Sequence, residues 1–196
     1  MSEFDFLFSL FGLLLGFMLV EVLGGFVRAV KAARPRPGSD DVPVRLGWLS
    51  PLLGLFLLLD ITSYWDNIWL LRGVIALGLD SLFSALILTG IYYFAASMVF
   101  PSEPREWPDL DAWFWLHRRQ VLGCILAVNM LWVIFYTLFA ARSYGGALTI
   151  ASQAAYFAAL AVAMFARSRL IVGAALAIPS LMYFGFAAWE FARRLH

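Results

Sequence analysis

Long stretches of this chain carry no charge, and that decides what it can fold into. Residues 120–141 and 170–189 contain no Asp, Glu, Lys or Arg, and residues 6–27 contain one, Glu21. A helix rises about 1.5 Å per residue, so about 20 apolar residues cross the hydrocarbon of a bilayer. Of the 196 residues 63% are hydrophobic and 14% charged, against about 45–50% and about 25% in a soluble domain. A soluble fold of this size cannot bury so much apolar surface. The sequence predicts an all-α polytopic membrane protein: one domain over residues 1–196, a bundle of six transmembrane helices.

The spans are expected at about 6–28, 46–69, 74–99, 119–141, 147–166 and 170–192. Arg72-Gly73, Ser143-Tyr144-Gly145-Gly146 and Arg167-Ser168-Arg169 separate successive spans. Links this short make antiparallel hairpins. The start is acidic (Glu3, Asp5) and its apolar run reaches spanning length, unlike a cleavable signal peptide. The single cysteine, Cys124, makes no intrachain disulfide and reads as a small packed hydrophobe.

Two loops are substantial. The first, Lys31 to Arg45, holds Arg34-Pro35-Arg36-Pro37-Gly38 and cannot be helical throughout. In the second, Pro101 to Arg118, Pro108 suits a helix start with Asp109 and Asp111 at its positive end. Leu110, Trp113, Phe114 and His117 then share a face, and Trp107, Trp113 and Trp115 suit headgroup level. A short interfacial helix is expected here, between the third and fourth spans.

Basic residues give the orientation. Arg28, Lys31, Arg34, Arg36, Arg45, Arg105, Arg118, Arg119, Arg167 and Arg169 flank one side, and Arg72, Arg142, Arg193 and Arg194 the other. The positive-inside rule puts the first side in the cytoplasm and both termini outside. Arg193 and Arg194 dissent. The chain has the look of a small bacterial inner-membrane protein, and a bacterial cytoplasmic membrane is the expected location.

The fourth and sixth spans align at an offset of 50, pairing Arg119 with Arg169 and Gly123 with Gly173. Tyr93-Phe94-Ala95-Ala96 recurs as Tyr156-Phe157-Ala158-Ala159. Similar hairpins, or a chance match between apolar sequences, explain both.

Motifs of known chemistry are missing. There is no Gly-rich phosphate loop, HExxH, GxSxG or potassium-filter sequence. The two histidines, His117 and His196, lie outside the spans, which argues against a bis-His haem or buried metal centre. No cofactor, metal or catalytic set is expected, and the reading leans away from an enzyme. The net charge of +1 suggests no nucleic acid.

Polar side chains at membrane depth remain, and these are costly in lipid, so they face the bundle interior or water. In the second span Asp60, Ser63, Tyr64 and Asn67 stand at i, i+3, i+4 and i+7, one stripe of a helix, with Trp65 and Trp69 opposite. Asp60 falls near the midplane, and Tyr64 and Asn129 are its expected hydrogen-bond partners. Glu21 in the first span shares a face with Gly24, Gly25 and Arg28; Gly12 and Gly16 form a GxxxG elsewhere on that helix. Gln153 and Ser152 lie in the fifth span, and Pro179 kinks the sixth. Asp60, Ser63, Tyr64, Asn67, Asn129, Gln153 and Glu21 are the candidate ion or transport pathway. Asp66, Asp80 and Glu190 are a candidate acidic outer vestibule, or else ordinary rim charges.

Two functions stay open. One is a channel or transporter for protons, cations or a small solute, working through the polar stripe of the second helix. The other is a structural or accessory subunit of a membrane complex, with no transport of its own. The expected partners are the lipid bilayer and either further copies of the chain or a larger membrane complex.

Overall fold

Apolar runs fold as helices because only a helix satisfies every backbone N–H and C=O within its own segment. The computed structural model describes residues 3–34, 43–70, 72, 78–139 and 147–194. The breaker-rich stretch 35–42, Gly73, the 142–146 link, His196 and the side chain of Glu190 lie outside the described residues. Six α-helices follow one another: α1 (Glu3–Ala32), α2 (Leu49–Leu70), α3 (Leu79–Ser97), α4 (Leu110–Phe139), α5 (Ala147–Phe165) and α6 (Arg169–Arg194). Among the described residues there is no strand.

Four of these are long and apolar enough to cross a membrane: Phe4–Ala32, Leu79–Ser97, Leu110–Leu138 and Arg169–Arg194. The described apolar part of α5, Thr149–Phe165, is shorter, and α2 with its polar stripe is not in the set. The outer surface is apolar: Val20, Leu138, Leu170 and Leu181 are each about two-thirds exposed or more. Such a surface is compatible with membrane insertion.

The expected interfacial helix does not exist as a separate element. α4 is one helix of 30 residues, and the predicted segment is its first two turns. The Asp109 carboxylate accepts the Asp111 N–H (2.9 Å) and starts the helix, and no proline or glycine interrupts it before Gly123. The predicted face turns into protein: Leu110 and Phe114 are buried, and Trp113 Nε1 donates to the Met98 carbonyl (2.9 Å).

The helices close into a ring. α1 packs on α2 and α3, α3 on α4, α4 on α5, α5 on α6, and α6 back on α2; α2 also meets α4 across the middle. Phe56, Leu57, Ile61, Tyr64 and Asp60 of α2 are all buried.

One end of the ring is clasped. The Asp111 carboxylate of α4 accepts the Leu49 N–H at the start of α2 (3.1 Å) and pairs with Arg169 of α6 (3.6 Å). Gly47, at φ +61°, enters α2 pressed against Asp111, where a Cβ would collide with the carboxylate. Arg118 and Arg119 of α4 donate to the Ala163 (3.1 Å) and Met164 (3.4 Å) carbonyls of the last turn of α5, which lack helical donors of their own.

Of the expected glycine contacts, Gly25 is the close one: a Cβ there would lie 2.9 Å from Phe100. Gly24 meets only Arg28 of its own helix, and Gly16 has nothing within 4 Å. Of the GxxxG pair, Gly12 faces the Trp65 ring of α2, 3.4 Å from where a Cβ would stand, and Gly16 does not share that contact.

Candidate functional site

The stripe on α2 points inward as its spacing demands, and Asp60 is 0% exposed. Isolated burial of a carboxylate costs several kcal/mol even after relaxation, so what surrounds it decides whether it is tolerated. Tyr92 of α3 donates to Oδ2 (2.7 Å). Tyr156 of α5 (2.6 Å) and Tyr183 of α6 (3.0 Å) donate to Oδ1. Asn129 of α4 lies with Nδ2 3.3 Å from both oxygens. Four helices thus send donors to one side chain of a fifth. A carboxylate accepts at about four lone-pair sites, and this cage fills them.

The cage has two states. An ionised Asp60 accepts from all three phenols and the amide. A protonated Asp60 owns an O–H that must itself donate, so one phenol has to turn its hydrogen away. A proton on Asp60 therefore rearranges contacts to α3, α5 or α6.

Tyr64 is not in the cage, contrary to expectation. It packs instead on Tyr92 and Trp132, with ring centroids 5.4 and 5.7 Å apart. Asn129 is placed as expected. Tyr92, Tyr156 and Tyr183 were not anticipated, because a lone tyrosine in an apolar run reads as ordinary membrane aromatic. The repeated Tyr-Phe-Ala-Ala pattern even points one residue astray: it pairs Tyr156 with Tyr93, which is 47% exposed, while the cage uses Tyr92.

Above the cage, away from the clasped end, lies a partly open cavity of about 280 Å³ between α2, α4, α5 and α6. Tyr156, Tyr183 and Asn129 are its walls as well as donors to Asp60. Ser63, Asn67, Thr149, Ser152 and Gln153 supply further polar groups, and Trp132 and Phe186 supply aromatic ones. None of the described lining residues carries a charge. Pro179 lines the same cavity; α6 runs on through it, and its missing N–H leaves the Ala175 carbonyl without the usual helical donor.

The structure therefore gathers Ser63, Asn67, Asn129 and Gln153 around one space, sets Asp60 behind its wall and leaves Glu21 out. Glu21 pairs with Arg28 along α1 (3.2 Å), at part-exposed positions. Asp66 and Asp80 are exposed and do not line the cavity. Among the described residues, no group of three or more His, Cys, Asp or Glu comes together to hold a metal ion. No protein-family model, curated protein or solved structure matches this chain.

Proposed function

We propose that the chain crosses the membrane six times and moves a proton, a cation or a small solute through this cavity, with Asp60 as the group that takes up the ion. In this reading α2 and α5 complete the six spans: the polar groups of α2 that lower its hydropathy are turned inward, where lipid does not meet them. The clasped end carries the larger share of the Lys and Arg residues and faces the cytoplasm. The cavity and both termini then face outward, in a bacterial cytoplasmic membrane.

One observation carries the reading. The wholly buried acid sits directly behind side chains that also wall a polar cavity, so a change at Asp60 is felt in the cavity. An intramembrane carboxylate placed this way is a functional group by default. Of the ions, a proton fits best: it needs one lone pair, whereas a metal cation needs several oxygens and Asp60 has its own filled by donors.

A second reading is a structural or accessory subunit. It is favoured by the cage itself, which ties α2 to α3, α4, α5 and α6 and would hold a bundle together without moving anything. Purified protein in liposomes separates the two. Transport predicts proton, sodium or potassium flux under an imposed gradient; no flux under any gradient puts the accessory role ahead.

A further inference from the structure

We infer that the cavity beside Asp60 is a binding site for a small, uncharged, polar solute with both hydrogen-bond donors and acceptors. The inference rests on the transport reading above and names the class of molecule that reading leaves open.

Size comes first. About 280 Å³ is room for roughly nine waters at about 30 Å³ each, just below the range of about 300–1,000 Å³ for drug-sized ligands. A bare ion does not need that space.

Chemistry narrows it further. No ionised side chain lines the cavity among the described residues. The one acid nearby is screened, its oxygens occupied by Tyr92, Tyr156, Tyr183 and Asn129. A charged solute would leave water for a wall with no counter-charge, at a cost that hydrogen bonds to neutral groups only partly offset.

The wall also keeps polar groups in reserve. Asn129 spends its amide hydrogens on Asp60, the Ile125 carbonyl and Tyr156, which leaves its carbonyl oxygen as an acceptor. Asn67 and Gln153 face the cavity, and neither makes a side-chain hydrogen bond to any described residue. A carboxamide offers two donors and an acceptor. Two uncommitted amides therefore want a partner that both gives and takes hydrogen bonds. Trp132 and Phe186 add surfaces for a ring or a C–H face. A hydroxylated or amide-bearing neutral molecule matches this wall.

The test reads the charge preference of the cavity without needing its natural ligand. Ser63→Cys and Ser152→Cys are made separately in a Cys124→Ser background; both are near-isosteric, and the second lies on a different helix from the first. Arg72→Cys, at an exposed turn, calibrates the intrinsic reactivity of each reagent. The probes are carbamoylethyl (neutral), trimethylammonioethyl (cationic) and sulfonatoethyl (anionic) methanethiosulfonates. After normalisation, the neutral reagent is expected to modify both cavity cysteines at least about tenfold faster than either charged one, because charge is costly to desolvate.

Three results would overturn the inference: faster reaction with the cation, rates independent of charge, or no reaction in the cavity while Arg72→Cys reacts. Proton flux in liposomes is scored separately. Absent flux with neutral preference intact defeats the proton-carrying role of Asp60 and leaves the ligand class standing; flux with cation preference does the reverse.

Discussion

Asp60 owes its tolerance to three phenols and an amide, and their distances rank them. Tyr156 at 2.6 Å and Tyr92 at 2.7 Å make the short contacts, Tyr183 at 3.0 Å a longer one. A hydrogen bond to a charged group contributes about 1.5–3 kcal/mol. Tyr156→Phe and Tyr92→Phe should each cost stability in that range, and Tyr183→Phe less. Tyr64→Phe, although Tyr64 is 4% exposed, should stay within about 0.5 kcal/mol, since it removes no bond to Asp60. Reversible unfolding in detergent measures all four. Equal losses for Tyr64→Phe and Tyr156→Phe would mean that the cage is not what holds Asp60.

At the scale of the helices, the tightest glycine contact of α1 is that of Gly25 with Phe100, just past the end of α3. Gly25→Leu must push Phe100 aside and should lower stability by about 1–3 kcal/mol, as overpacking does; Gly16→Leu, with open space around it, should be close to neutral. A melting curve for each checks the contrast, and equal shifts would refute it. Asp111→Ala, which removes the acceptor at the start of α2 and the partner of Arg169, should cost about 0.5–2 kcal/mol on the same assay.

What could be read at this scale was local. Helix periodicity puts Asp60, Ser63 and Asn67 on one face whatever surrounds them, and that face is the one turned inward. Which tyrosines meet Asp60 depends on the order in which helices pack, and periodicity within one helix contains nothing about that. The same limit produced the false break in α4: Trp and Asp residues marked an interface, but the helix is continuous from Leu110 to Phe139 and turns Leu110 and Trp113 into protein.

For the whole molecule, a clasped end, the buried Asp60 and a cavity beyond it follow one another along the bundle. If the clasped end faces the cytoplasm, Ser39→Cys in a Cys124→Ser background should resist a membrane-impermeant thiol reagent in intact cells and react after permeabilisation. Labelling in intact cells would reverse the orientation and place the cavity on the inner side. If Asp60 takes part in transport as proposed, and not only in packing, flux should depend on its ability to ionise. Asn is nearly isosteric and still accepts hydrogen bonds, but it cannot ionise. In liposomes with an imposed pH gradient, proton flux is expected through the parent protein and is expected to be lost in Asp60→Asn, even where that variant still folds and reconstitutes at a lower melting temperature. Equal flux through both proteins would contradict that role.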